Sequence, residues 1–231
     1  MNILALDTSM GACSAAVLLA DGSTQRIVLC EERMARDHAE ALMPMVSEVM
    51  TGAGLDFAGL DLIAATLGPG SFTGVRIAIA ASRGFALVTG TRLWGTDSLR
   101  VMAKAALESG MTGVSESFAV AVDARGERLY FGLYDAAGGK LAGPLLIDAG
   151  EAASLLPHKL GTAVGNGAAH LAEAAMLGGH RIDAKLPDLQ PNAAALAELA
   201  LEAGETLPTL RPLYLRPPDA KPQAAAALTR R

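Results

Sequence analysis

The sequence predicts an α/β protein made of two similar lobes, and two observations lead to this fold class. First, short apolar runs typical of buried strands alternate with stretches whose apolar residues recur at helical spacing. Second, the start of the chain recurs near its middle. An apolar run ending in Asp7, a second strand and a glycine turn are matched by a run ending in Asp123 with a similar continuation. Because internal repeats determine architecture, we expect two βββ-α-β-α lobes facing each other across a cleft.

The individual elements of the first half follow from periodicity and from turn residues. Asp21-Gly22 is a strong hairpin signal. Asp37 is a plausible N-cap for the helix that follows, and Pro44 inside that helix predicts a kink or a break. The predicted strands are residues 2–6, 13–19, 24–29 and 60–67, and the predicted helices are about 37–50, 75–88 and 99–107.

The second half repeats this order more weakly. The turn Gly138-Gly139 separates two of its strands, and Gly165-Asn166-Gly167 leads into a helix that begins near Ala168. The predicted strands are residues 118–122, 129–134, 141–147 and 162–164. We therefore expect a first lobe at 1–112, a second lobe at 113–216 and a disordered tail rich in Pro and Ala at 217–231.

Composition limits the classes of function. The formal net charge of −5 argues against a chain that attracts nucleic acid as a whole, although the end of the chain is basic. The two cysteines, Cys13 and Cys30, make no disulfide framework and are expected to be reduced core thiols. The N-terminus has no basic segment, and no stretch approaches the ~20 apolar residues of a membrane helix. A cytoplasmic protein without membrane contact is the expectation.

The glycine-rich stretch Gly68-Pro69-Gly70-Ser71-Phe72-Thr73-Gly74 leads from a strand into a helix and is the most informative motif. Converging backbone N–H groups at a helix N-terminus could bind an anion. The stretch has neither the lysine of a phosphate-binding P-loop nor the spacing of a dinucleotide fingerprint. The alternative is a tight strand-to-helix turn with Ser71 or Thr73 as N-cap.

The aspartates at the ends of the two first strands also have two interpretations. Asp7 and Asp123 could bind metal-bound water or phosphate in the cleft. They could instead make hydrogen bonds within their own turns. Asp7-Thr8-Ser9 is not followed by a glycine-rich phosphate loop, which favours the turn.

Four stretches resemble the TsaB (YeaZ) family. They are Ile3–Ser9, Gly68-Pro-Gly-Ser-Phe-Thr-Gly-Val-Arg-Ile, Val122-Asp-Ala-Arg with Tyr130, and Pro212-Leu-Tyr-Leu-Arg216. The resemblance covers nearly the whole chain as far as Arg216. It implies an α/β, two-lobed actin-like fold (the sugar kinase–Hsp70–actin or ASKHA class, a duplicated ribonuclease H-like unit), which agrees with the repeat.

The resemblance also implies a function. Members serve as the non-catalytic dimerization subunit that supports a TsaD-type transferase in forming N6-threonylcarbamoyladenosine in tRNA beside the anticodon. The implied partners are a TsaD-like catalytic subunit, a TsaE-like ATPase, a second copy of the chain when it is alone, and tRNA only through the complex. No cofactor of its own is implied, although ATP or ADP could be bound within the complex.

The expected site residues form two sets, with no catalytic residue and no metal ligand in either. The possible nucleotide- or anion-binding set is Asp7, Thr8, Ser9, Gly68, Gly70, Ser71, Thr73 and Gly74. The expected subunit interface, on the helices 37–50 and 75–88, is Leu42, Met45, Val46, Val49, Val75, Ile79, Ser82 and Ala86.

The histidines do not show the spacing of a metal site. TsaD-type proteins use a His-x-x-x-His pair, because two imidazoles four residues apart share one helix face. Here His38 is followed by Leu42, and we expect His38 to be a solvated residue at a helix start. His158, His170 and His180 have no spacing typical of metal ligands.

Three other classes of function stay open. One is a small-molecule kinase or ATPase of the same fold, although Arg125-Gly126-Glu127 is a poor phosphate loop. Another is a glycoprotease-type hydrolase, for which Ser9 and Ser71 lack an identifiable histidine partner. The last is an RNA-binding module, disfavoured by the acidic body and the lack of interleaved aromatic residues.

Overall fold

A computed structural model describes residues 1–111, 117–203 and 206–215. Within them the chain forms two five-stranded mixed sheets with helices between and outside them. The expected lobe boundary at 112/113 and the tail at 217–231 lie outside the described residues, so both stay predictions.

The first sheet has the strand order β3-β2-β1-β4-β5. Its first three strands are antiparallel neighbours, whereas β4 and β5 join parallel to β1. The strands are β1 (Asn2–Asp7), β2 (Ala12–Asp21), β3 (Thr24–Arg33), β4 (Leu62–Thr66) and β5 (Arg92–Thr96). The prediction found all of them except β5.

The helices of the first half are α1 (His38–Ala53), α2 (Phe72–Thr89) and α3 (Ser98–Glu108), with a short 3₁₀ turn at Phe57–Gly59. The break expected at Pro44 is wrong, because α1 continues through it. One missing helical hydrogen bond is tolerated there, since Pro44 lies on the exposed side while Leu42, Met45 and Val46 hold the helix to the first sheet.

The second sheet has the order β8-β7-β6-β9-β10, which is the order of the first sheet again. Its elements are β6 (Ser117–Ala124), β7 (Arg128–Asp135), β8 (Lys140–Asp148), α4 (Ala149–Ser154), β9 (Thr162–Val164), α5 (Ala168–Leu177), β10 (Asp183–Lys185) and α6 (Ala193–Ala203). The predicted α/β duplication into two lobes is thereby confirmed. The sequence analysis did not identify α4, β10 or α6.

Two helices lie between the sheets and join the lobes. Val101 and Ala105 of α3 pack with α6 on the first sheet, whereas Leu99 and Met102 of α3 pack on the second. Although α6 follows the second sheet in the chain, its buried alanines contact β1 and β2. Residues 206–215 return to the first lobe as well, where Leu207 bridges to Leu93 of β5.

The outer face of the first sheet is covered by α1 and α2. Of the helices in the described ranges, α2 alone is long and apolar enough to cross a membrane by length and composition, and only 28% of it is buried. Its buried side faces the first sheet through Val75, Ala78 and Ile79. The opposite side of α2 is therefore open to solvent, where apolar residues stand beside Arg76 and Arg83.

Candidate functional site

The turn after β1 is buried rather than open to the cleft. Asp7, Thr8 and Ser9 have no exposed surface. The Ser9 hydroxyl donates to Asp7 Oδ2 at 2.8 Å, and the Thr66 hydroxyl donates to the same carboxylate oxygen. The Thr8 hydroxyl donates to the carbonyl of Gly74 at 2.6 Å and accepts from the Ala78 N–H at 3.1 Å. These polar groups fasten the turn to β4 and α2.

The glycine-rich loop packs its backbone directly onto that turn. A Cβ atom on Gly70 would overlap the carbonyl oxygen of Ser9, and one on Gly74 would overlap the carbonyl oxygen of Thr8. The Ser71 N–H donates to the Ser9 carbonyl at 2.8 Å. The Ser71 hydroxyl caps α2 by accepting from the Gly74 N–H at 3.3 Å. The turn interpretation with Ser71 as N-cap is confirmed, and the glycines are explained by packing.

The C-terminal segment closes one side of this loop. The Leu213 N–H donates to the Leu67 carbonyl at 2.6 Å. The Tyr214 ring stacks on Phe72 with ring centroids 5.5 Å apart, and the guanidinium carbon of Arg76 lies 3.4 Å from the Phe72 centroid. Stacking between rings and a cation over an aromatic face both stabilise this contact. Two of the stretches that carry the family resemblance therefore meet in space.

The second lobe presents its own strand end to the same space. Asp123 is exposed, in contrast to Asp7 at the corresponding position. Its backbone N–H donates to Asn166 Oδ1 at 2.9 Å, which fixes the amide of the β9–α5 loop. On the first lobe, the Gly11 N–H donates to Gln190 Oε1 at 2.8 Å, so a side chain that precedes α6 is anchored there.

These parts enclose a cleft of about 850 Å³ between the lobes. It has the size of a site for a small molecule. Its charged side chains come from Arg76, Asp123 and Arg125. The full lining is Met10, Gly11, Pro69–Thr73, Arg76, Val122–Arg125, Tyr130, Asn166, Leu189, Gln190 and Leu213–Leu215.

The cleft includes only part of the expected anion-binding set. Gly70, Ser71 and Thr73 line it. Asp7, Thr8, Ser9, Gly68 and Gly74 are buried beneath it, because the loop and the turn pack on each other. Their burial speaks against direct contact with a ligand, and the binding role of the set stays a prediction. The sequence analysis missed Gln190, for which the sequence offered no signal. Asn166 lies in the stretch Gly165-Asn166-Gly167, which the sequence analysis had singled out.

Most residues of the expected subunit interface are not at the surface of the chain, and the interface itself stays a prediction. Leu42, Met45, Val46, Val49, Val75, Ile79 and Ser82 are buried inside the chain itself, and Ala86 is partly buried. Periodic apolar residues face the first sheet, so they form its core and are not available to a partner. The exposed surface of these two helices belongs to other residues, among them Met43, Leu87 and Val88.

The histidine positions correct one further expectation. His38 is buried rather than solvated, and its Nε2 lies 3.0 Å from the Met10 carbonyl. Among the described residues, His, Cys, Asp and Glu side chains form no group of three that could hold a metal ion. The thiols are free, with Cys13 buried and Cys30 partly exposed.

Burial alters the titration of several groups around the site. Desolvation raises the pKa of Asp7 to about 6, although hydrogen bonds from Thr66 and Ser9 oppose the rise. Burial and the neighbouring Asp97 raise the pKa of Tyr134. Asp97 caps α3 and also joins the lobes, because its carboxylate lies 3.2 Å from Lys140 Nζ and 3.4 Å from the Tyr134 hydroxyl.

A second charged cluster links the two helices between the sheets. Lys104 Nζ of α3 lies 3.3 Å from Glu108 on the same helix and 3.0 Å from both Glu198 and Glu202 of α6. Burial, followed by the interaction with Glu198, raises the pKa of Glu108 to about 7. Hydrogen bonds from Glu108 and Lys104 outweigh burial and lower the pKa of Glu198.

Several polar groups around the cleft are already used in hydrogen bonds within the protein. The hydroxyls of Ser9 and Ser71 are both used within the loop. The carboxylate of Asp7 is enclosed, which leaves Asp123 as the acidic side chain among the cleft residues. The chain is a two-lobed α/β protein with a cleft between lobes of the same topology. A glycine-rich loop packs on the end of its first strand.

Comparison with known proteins identifies the family. The family model for TsaD, tRNA N6-adenosine threonylcarbamoyltransferase, matches residues 29–200. The chain is 38% identical over 136 residues to the tRNA threonylcarbamoyladenosine biosynthesis protein TsaB of Escherichia coli (strain K12), covering 58% of this chain and 55% of that protein. The chain spans about half the length of the curated relatives it matches first.

Solved structures agree over a longer span. A Pseudomonas aeruginosa protein described as similar to peptidase YEAZ has a TM-score of 0.79 and 31% identity, covering 93% of this chain and 99% of that one. YeaZ from Pseudomonas aeruginosa gives a TM-score of 0.77 and 29% identity over 93% and 100% of the two chains. The chain therefore belongs to the TsaB (YeaZ) family.

Proposed function

We propose that this chain acts in the biosynthesis of threonylcarbamoyladenosine in tRNA, as a non-catalytic subunit that binds and supports a TsaD-type transferase. The names of the TsaB relatives and the TsaD family model support the pathway. In this proposal a TsaE-like ATPase joins the complex. The chain contacts tRNA only as part of that complex. The location is cytoplasmic, and the two lobes form an actin-like fold.

The outer face of α2 is the observation that carries this proposal. Leu87 and Val88 are each 87% exposed, and Phe72 is half exposed at the other end of the helix. Ala80, Arg83 and Gly84 are exposed between them, and a Cβ atom on Gly84 would meet nothing within 4 Å. Small residues allow another helix to approach closely, and contiguous exposed apolar surface marks interaction sites. We assign the TsaD-type subunit to this face.

The absence of catalysis in the proposal rests on the cleft. An actin-like kinase or ATPase needs an accessible carboxylate at the end of the first strand, whereas Asp7 is enclosed by Ser9 and Thr66. A serine hydrolase needs a hydroxyl activated by a neighbouring base. In the proposal the chain uses no cofactor of its own, and ATP or ADP is bound within the complex.

In the proposal the chain self-associates through the same face when the partner is missing. A stable interface buries at least ~1,200 Å² in total, more than one helix face supplies. We therefore include the exposed part of α1 around Met43, which packs beside α2. A second copy and the TsaD-type subunit then compete for one surface.

The test compares two leucines that are both almost fully exposed. Leu87→Glu should weaken co-purification with the TsaD-type protein of the same organism at least about tenfold, because a charge would face an apolar contact. Leu177→Glu, on α5 of the second lobe at 92% exposure, is the matched control and should bind normally. Equal binding by both variants and the unmodified chain would contradict the α2 assignment.

A further inference from the structure

Two histidines that are far apart in the sequence meet on the second lobe, away from the cleft. His158 follows α4, and His180 follows α5. Their ring centroids are 5.3 Å apart and the ring planes are inclined at 39°. Spacing along the chain gave no hint of this pair, because the packing of α4 against α5 brings the two loops together.

Both loops are ordered by their own backbone hydrogen bonds. The His180 N–H donates to the Ala175 carbonyl at 2.9 Å, and the Gly179 N–H donates to the Met176 carbonyl at 3.0 Å. Gly179 has a positive φ of 81°, as expected where a helix ends. The Leu160 N–H donates to the Pro157 carbonyl at 3.0 Å, which closes a turn around His158. A ligand would therefore meet two side chains whose backbones are already placed.

The separation of the rings suits a shared metal ion. An imidazole nitrogen lies about 1.2 Å from its ring centre and about 2.1 Å from a bound zinc ion, so each ring centre lies about 3.3 Å from the ion. Two such ligands at a tetrahedral angle have ring centres about 5.4 Å apart. Within the described ranges, neither imidazole makes a hydrogen bond or ion pair that would occupy its nitrogens.

We propose that His158 and His180 form a surface binding site for a divalent late transition-metal ion such as Zn²⁺, Ni²⁺ or Cu²⁺, with water completing the coordination. Imidazole suits these ions, whereas Mg²⁺ and Ca²⁺ prefer oxygen ligands. With two protein ligands the site is open and binds more weakly than a closed four-ligand zinc site. The bound ion ties the loop after α4 to the loop after α5.

The experiment uses the full chain without a histidine tag and titrates it with each metal chloride by calorimetry. Affinity should rise from Co²⁺ through Ni²⁺ to Cu²⁺, and Mg²⁺ should not bind. His158→Ala and His180→Ala should each weaken Zn²⁺ binding at least about tenfold, the lower end of what altering a metal site usually costs. His170→Ala is the matched control, since His170 is an exposed histidine on α5 outside the pair.

A second readout follows from linkage. Because the ion binds the folded chain, Zn²⁺ should raise the melting temperature of the unmodified chain and of His170→Ala, and not that of the two pair variants. No measurable Zn²⁺ binding by the unmodified chain would overturn the proposal. Equal losses in all three variants would overturn it as well, because the ion would then bind elsewhere.

Discussion

Gly70 lies so close to Ser9 that a Cβ atom on the glycine would overlap the serine carbonyl oxygen. This contact joins the glycine-rich loop to the end of the first strand, and the Ser71 N–H bonds to the same carbonyl. The loop that suggests phosphate binding in the sequence is thereby committed to backbone packing. The cleft above it keeps Arg76, Arg125 and the exposed aromatic pair as its accessible features.

The first prediction tests that contact. Gly70→Ala should lower the free energy of unfolding by about 1–3 kcal/mol, because the methyl group has no space beside the Ser9 carbonyl. Gly84→Ala is the control on α2, where a Cβ meets nothing within 4 Å. It should raise stability by about 0.5–1 kcal/mol, since alanine favours a helix interior. Urea unfolding measures both, and a neutral Gly70→Ala would refute the packing account.

The second prediction concerns the buried carboxyl of Asp7. Its pKa in the folded chain is raised to about 6 from an ordinary 3.8. A raised pKa means that stability is complete below about pH 4 and is lost as the pH rises through about 6. Two pKa units correspond to about 3 kcal/mol as an upper bound.

Asp7→Asn removes this titration. The stability of the variant relative to the unmodified chain should therefore improve between pH 4 and pH 7, measured by denaturant unfolding at each pH. Asp123→Asn, at the exposed strand end of the second lobe, should change stability by less than about 0.5 kcal/mol. If the stability difference between Asp7→Asn and the unmodified chain does not vary with pH, the pKa of Asp7 is not raised by burial.

The third prediction uses the cluster between α3 and α6. The pKa of Glu108 is raised from an ordinary 4.5 to about 7, so its contribution to stability is complete below about pH 4.5 and is lost as the pH rises through 7. Glu108→Gln should match the unmodified chain at about pH 4.5 and exceed it at pH 8. Lys104→Met should show the reverse trend and lose more at pH 8, because Glu198 and Glu202 then lack their cation. The measurement is the melting temperature of each variant and of the unmodified chain at the two pH values.

The fourth prediction separates core from surface on one helix. Ile79→Arg should unfold the chain, since Ile79 is 2% exposed within the core of the first lobe. Leu87→Arg, two turns further along α2 and 87% exposed, should leave the circular dichroism spectrum and melting temperature nearly unchanged. A folded Ile79→Arg variant would contradict the packing of α2 against the first sheet.

The fifth prediction concerns the end of the chain. Leu210→Ala should cost about 2–5 kcal/mol, because Leu210 is fully buried in the first-lobe core. Removal of residues 217–231 should leave the melting temperature unchanged, since that stretch has no apolar periodicity. The matched comparison is a truncation before Leu207, which also removes the bridge to Leu93 and should destabilise strongly. A lower melting temperature for the short truncation would mean that the tail contributes to the fold.

The sequence alone determined the α/β class, the repeated order of elements along the chain and the family resemblance. These depend on local patterns: period-two and helical apolar runs, glycine turns and a repeated apolar run ending in aspartate. It did not reveal β5, β10, α4 or α6. Short strands and alanine-rich helices have weak periodicity, and their positions depend on the sheets against which they pack.

Tertiary structure decided which residues face the core, the cleft or solvent. From their spacing, the apolar residues of α1 and α2 could belong to a core or to an interface. In the structure they pack against the first sheet and form its core. Asp7 and Asp123 occupy matching positions, yet packing of the glycine-rich loop buries one and leaves the other at the cleft. The stacking of Tyr214 on Phe72 and the pairing of His158 with His180 join residues distant in sequence. Such contacts arise from the folded path of the chain, which local sequence does not encode.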